Sequence, residues 1–303
     1  MKAEPVEDVG NSARRKAVLI ALAGFGIFSL GDGFTKSTAG LWPGTAVAAL
    51  RFSMGAVGLS LILLLREEVA GFAMPRPLVH IARGAAMAVS TACFFMAVQV
   101  MPLATATTIG FTAPLMTAVL SALFLRERVP LRIWMTIGVA LAGVALVLRP
   151  SLSGMGWHPV LPLGAALAMA ILMMLNRVAA DSTPDLLSQV LVAALASPIL
   201  IGFALIFHLL GGPAFHIGPL NWAVIWRAGM VAAIATAGHW LIYRATRGAS
   251  AARIAPANYV QLPIAITVGW IVFCDWPDWL DIAGIVLIIA AGTMLFRSPE
   301  IRR

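Results

Sequence analysis

The chain has 303 residues, of which 60% are hydrophobic and only 11% charged. A soluble domain is roughly half apolar, and the apolar runs here reach the about 20 residues that cross a hydrocarbon layer, so a water-soluble globule is excluded. The net charge of +8 does not point to nucleic acid, because the basic residues are scattered at the ends of apolar runs and form no patch.

Residues 1–16 carry Glu4, Glu7 and Asp8 near their start and lack a cationic region followed by a small-residue cleavage site; they read as a cytoplasmic tail. Ten spans are then expected at 17–36, 44–65, 80–101, 104–125, 131–149, 159–178, 185–210, 222–243, 250–273 and 279–296. Turn chemistry separates them, at Trp42-Pro43-Gly44, Pro75-Arg76-Pro77, Met101-Pro102, Gly211-Gly212-Pro213 and Trp276-Pro277. With ten spans, 17 of the 21 Lys and Arg residues fall on the side of the termini, which places both termini in the cytoplasm.

Pro114, Gly143 and Pro150 return as Pro263, Gly292 and Pro299 at one offset of 149 residues. An odd number of spans per copy inverts the second copy. The expected domains are a first five-helix repeat at 17–150, an external linker at 151–156, a second repeat at 157–297 and a tail at 298–303. Pro114 and Pro263 are expected mid-span, in the fourth and ninth helices, where a missing amide donor bends a helix. Gly143 and Gly292 allow close helix contact.

Polar side chains inside the hydrocarbon layer are costly and tend to face a partner or a water-filled path. In the first span Asp32 and Lys36 are four apart, on one helical face, and permit an ion pair. Arg51 is long enough to reach Asp32 or to snorkel outward. Gln99, Thr105, Thr107 and Thr108 complete an outer polar group. In the second half the polar residues gather toward the inner surface: Asn176, Arg177, Gln189, His239, Tyr243, Arg253, Asn258, Tyr259 and Gln261. His239 and Tyr243 share a face. Two readings apply to these groups, structural bonding or substrate contact at two opposed gates. Trp240 lies inside a span, able to stack on a ligand or pack against lipid. Trp42, Trp157, Trp222, Trp226, Trp276 and Trp279 mark interfaces. Cys93 and Cys274 lack metal or redox spacing, and the methionines are apolar filler.

The chain has no GxxxxGK[ST] loop, no HExxH and no GxSxG elbow, so neither ATP-driven pumping nor intramembrane hydrolysis has machinery here, and no enzyme or cofactor is expected. Ala104-Thr105-Ala106-Thr107, Phe111-Thr112-Ala113-Pro114-Leu115, Phe124 to Val129 and Gly138 to Pro150 resemble the EamA signature of the drug/metabolite transporter superfamily. Ala255 to Tyr259 and Phe273 to Asp278 are similar to the second copy of that signature, with Cys274-Asp275 where a Gly-Glu pair is common. The resemblance implies an all-α fold of ten transmembrane helices in two inverted five-helix repeats around a central cavity. It implies alternating-access transport of small metabolites, often amino-acid export, with S-adenosylmethionine uptake as an alternative within the family. A non-transporting membrane scaffold is the alternative from another class. The expected partners are a small-molecule metabolite and the bilayer, and a monomer is the expected state.

Overall fold

A computed structural model describes residues 6–67, 74–124, 156–179, 183–248, 260–276 and 278–296, with further helical positions between 131 and 146. These residues form helices α1 (Val6–Lys36), α2 (Gly44–Glu67), α3 (Pro77–Val100), α4 (Leu103–Gly110), α5 (Ala113–Phe124), α6 (Val160–Ala179), α7 (Asp185–Leu210), α8 (Trp222–Gly248), α9 (Gln261–Phe273) and α10 (Trp279–Phe296), and among the described residues there is no strand. Helix α1 begins at Val6, inside the segment read as a tail.

Four of these helices are long and apolar enough to cross a membrane: Leu19–Lys36, Gly44–Arg66, Pro77–Val100 and Leu186–Leu210. Val160–Asn176, Ile264–Phe273 and Ile282–Ala291 are shorter apolar stretches. Leu65, Leu78, Leu209 and Leu210 are each more than three-quarters exposed, on outward helix faces that a water-soluble protein would have to cover. A hydrocarbon layer removes that penalty.

The fourth predicted span is not a continuous kinked helix. α4 stops at Gly110, a turn follows, and α5 restarts at Ala113, so Pro114 sits in the first turn of α5. There its missing N–H costs nothing, because first-turn amides have no partner within the helix. Pro263 likewise falls in the first turn of α9. The turn keeps its own backbone bonded, as an apolar setting demands: Phe111 N–H donates to the carbonyls of Thr107 (3.1 Å) and Thr108 (3.2 Å), and Leu115 and Met116 both donate to Thr112 (3.0 Å). Pro150 and Pro299 lie outside the described residues, while Gly143 is helical and buried.

Helices of the two halves pack on each other: α1 against α8 and α9, α2 against α7 and α8, and α3 against α6 and α7, while α4 touches both α6 and α9, and α5 packs on α6. Small residues let these pairs approach closely. A Cβ on Gly24 would lie 3.1 Å from the Gly238 carbonyl oxygen, so α1 and α8 cross backbone to backbone there. A Cβ on Gly44 would meet the Phe95 carbonyl carbon at 2.7 Å, and one on Gly84 would meet Leu195 Cβ at 2.5 Å. The main core lies along this seam, with Ala46, Val47, Ala48, Ala49, Phe52, Ala88, Phe95, Ala196, Leu200 and Val224.

α9 ends in a left-handed residue, Cys274 (φ 56°, ψ 26°), whose N–H donates to the Trp270 carbonyl at 3.1 Å. Glycine takes this conformation without the Cβ penalty of about 1–2 kcal/mol. Cys274→Gly is therefore expected to stabilise the protein by about 1 kcal/mol, read as a raised unfolding midpoint in detergent. A lowered midpoint would show that the thiol contributes more than the backbone strain costs.

Candidate functional site

Asp32, on α1, faces a small cavity lined also by Phe28 and Gly31 of α1, Arg51 of α2, Phe95 of α3, and Val231, Ile234 and Ala235 of α8. Its volume is about 40 Å³, room for a few waters rather than for a metabolite. Arg51 is held by aromatic rings: its guanidinium carbon lies 4.6 Å from the Phe52 centroid and 5.6 Å from that of Phe95. Each such contact contributes from about 0.5 to 2 kcal/mol as water is excluded. The guanidinium therefore keeps a fixed place without closing a salt bridge to Asp32. Arg51 is also within electrostatic reach of both Asp32 and His239. His239 lies one turn along α8 from Ala235, and its ring meets Phe28 edge-on at 5.1 Å. Asp32, Arg51, Phe28 and His239 thus form one neighbourhood, in which an acidic and a basic side chain from two helices line the same cavity.

The expected ion pair within α1 is replaced by a distant one. Lys36 pairs with Asp275, in the turn between α9 and α10, and not with Asp32. Its ammonium also donates to the Met101 carbonyl (3.4 Å) and lies 4.9 Å from the Phe273 ring centroid. The same end of the bundle is tied further by Arg227 to the Ser37 carbonyl (3.1 Å) and by Trp42 Nε1 to the Pro219 carbonyl (3.2 Å). Gln99 belongs to this end. Its amide donates to Thr38 Oγ1 (3.2 Å) and to the Trp42 carbonyl (3.1 Å), a fastening of the loop after α1 rather than a cavity wall.

At the opposite end, around the start of α3, a buried network was not expected from the sequence. Arg83, 3% exposed, donates through Nε to Asn176 Oδ1 (2.7 Å), through one terminal nitrogen to His80 Nδ1 (2.9 Å) and through the other to Ser188 Oγ (2.7 Å). With Nδ1 accepting, His80 carries its proton on Nε2 and faces Thr183 Oγ1 at 3.2 Å. α3, α6 and α7 are thereby joined through one guanidinium. The signal in the sequence was a His and an Arg three apart on an apolar helix. Arg83 counted there only as a topology charge.

The other predicted residues divide. Thr108 turns back on its own helix and bonds the Ala104 carbonyl (2.7 Å). Thr107 is buried with its hydroxyl unpaired. Trp240 is 51% exposed, with the Arg244 guanidinium 4.9 Å from its ring, so it stands on the outer surface and not in the cavity. Asn176 joins the Arg83 network, and Gln189 is exposed. Tyr243 lies on α8, one turn beyond His239. Arg253, Asn258 and Tyr259 lie outside the described residues. Among the described residues no group of three or more His, Cys, Asp or Glu is placed to hold a metal ion.

The described residues are thus all helical, with apolar outward-facing helices and a small cavity where helices of the two halves meet. Residues 15–149 match the model of the EamA-like transporter family. The chain is 27% identical to the pseudopaline exporter CntI of Pseudomonas aeruginosa over 94% of its own length and 98% of the relative's. It is 25% identical to the S-adenosylmethionine uptake transporter of Rickettsia bellii over 74% of each chain. A solved crystal structure shares the fold, with a TM-score of 0.61 and 20% identity over 94% of this chain and 99% of that one.

Proposed function

We propose that the protein is a secondary transporter that exports amino acids or related small amphipathic metabolites across the bacterial inner membrane by alternating access. The observation that carries the reading is the cavity lined by Asp32 and Arg51 from two helices, with no salt bridge between them. A zwitterion supplies the two missing counter-charges, an ammonium for Asp32 and a carboxylate for Arg51, and Phe28 and Phe95 supply apolar walls. The Lys36–Asp275 end forms the outer gate and the Arg83 end the inner one.

The fold reading belongs to the same proposal: ten transmembrane helices in two inverted repeats, with both termini cytoplasmic. Its support is the packing pattern. If α1, α2, α3 and α4/α5 exchange with α6, α7, α8 and α9, then the α1–α8 pair maps onto α3–α6, α1–α9 onto the packing of α4 and α5 on α6, and α2–α8 onto α3–α7. The α2–α7 pair maps onto itself. These pairs between the halves follow the exchange, which a chance arrangement has no reason to do, while the α2–α3 contact has no counterpart between α7 and α8.

Proteoliposomes test the function. Labelled amino acids are expected to move down their gradient, and Asp32→Asn is expected to lower the flux about tenfold, the loss of roughly 1.4 kcal/mol of contact. Unchanged flux in both Asp32→Asn and His239→Ala would remove these residues from the mechanism. Uptake is the second reading, supported by the relative that takes up S-adenosylmethionine; there Asp32 would face a sulfonium, and labelled S-adenosylmethionine is expected to enter proteoliposomes in which plain amino acids do not move. A non-transporting scaffold would carry no flux, and cysteines at cavity positions would not react with thiol reagents.

A further inference from the structure

Lys36 and Asp32 are one helical turn apart on α1, close enough to pair, yet Lys36 is drawn to Asp275 while Asp32 faces the cavity unbridged. Asp32 and Asp275 are thus two alternative carboxylate partners for one ammonium, one belonging to the binding cavity and the other to the outer closure. Arg51 makes no salt bridge to Asp32, its guanidinium being stacked on the Phe52 and Phe95 rings. We infer that Lys36 is a positioning residue that exchanges between Asp275, closing the outer side, and Asp32, when the outer side is open. The inference rests on the transport reading and deepens it by assigning the substrate class, a metabolite bearing a cationic group.

The exchange makes closure depend on occupancy. With a substrate cation at Asp32, Lys36 has only Asp275 to pair with, so the loaded protein is closed outside. Once the outer side opens, Lys36 competes for Asp32 and displaces the cation outward. After release Lys36 holds Asp32 while the outer side is open, and its return to Asp275 recloses that side. A ligand shifts such a balance only by its different affinity for the two states, and here competition for Asp32 supplies that difference.

The test reads outer accessibility and not flux. Ala235, on the cavity wall, is replaced in an Ala235→Cys, Cys93→Ala, Cys274→Gly background and labelled in whole cells with a membrane-impermeant maleimide. Asp275→Asn is expected to raise the labelling rate about fivefold or more, and Asp32→Asn to lower it, because each removes one of the two competing partners. In a Lys36→Gln background neither substitution is expected to change the rate. Exchange of the pair, Lys36→Asp with Asp275→Lys, is expected to restore slow labelling and so separates loss of the gate from loss of the fold. Unchanged labelling in Asp32→Asn, or the same change with and without Lys36, overturns the exchange. Because the readout is accessibility and not flux, that failure is distinct from absence of flux in proteoliposomes, which would overturn the transport reading.

Discussion

Arg83→Met is expected to lower stability by about 3 kcal/mol or more, read as a fall in the unfolding midpoint in detergent. The guanidinium satisfies Asn176, His80 and Ser188 together, and each buried polar group left without a partner costs about 1–3 kcal/mol. Arg83→Lys is expected to lose much of the same stability, since an ammonium is a point donor and cannot span three acceptors set around a planar fork. An unchanged midpoint in Arg83→Met would mean that His80, Asn176 and Ser188 can bond one another when the arginine is gone. Flux measured on the same variants separates a purely structural clasp from a gate: a gate alters the balance of inward and outward accessibility even in Arg83→Lys.

Gly84→Leu is the second large effect. A Cβ at Gly84 would sit 2.5 Å from Leu195 Cβ and 3.1 Å from the Leu195 carbonyl carbon, so neither a rotamer change nor a small side-chain shift makes room. α3 must move away from α7, and overpacking of this kind costs about 1–3 kcal/mol even for modest additions, with a leucine at the upper end. Gly58, on α2, provides the contrast, because nothing lies within 4 Å of a Cβ placed there. Gly58→Ala is expected to be neutral or to stabilise by up to about 1 kcal/mol through helix propensity. If both substitutions shift the unfolding midpoint alike, close approach of α3 to α7 is not what Gly84 provides.

Much of the helical layout was legible in the sequence because span length and turn residues are local signals. α2, α3, α7 and α10 fall where apolar runs and Pro/Gly punctuation put them. The helix break before Pro114 was misread as a bend, since a proline signals a lost donor without saying whether the chain before it is helical. The site was half legible. Asp32 and Arg51 stood out as charges in apolar runs, and the cavity holds both. Lys36 was assigned its neighbour on the helix because an i,i+4 partner is visible in sequence, whereas Asp275, 239 positions away, is not. Arg83 was hidden by the rule that made it useful for topology. Trp240 was left between a ligand and the lipid in sequence, because its direction around the helix is set only by packing, and its exposure favours the lipid side.

The backbone contact of Gly24 with Gly238 is also a pivot. From Gly24 to Gly31 the helix climbs about 10 Å, at about 1.5 Å per residue. Two rods crossing at a fixed point behave as scissors, so a rotation of α1 against α8 by roughly 10° would part the cavity walls by about 2 Å over that arm. Such a gain is most of the width of a water molecule, from an angle small enough to leave the crossing intact. Geometry of this sort ties the size of what can enter to the distance from the crossing: at Lys36, the last residue of α1 and about 18 Å from Gly24, the same rotation would open about 3 Å.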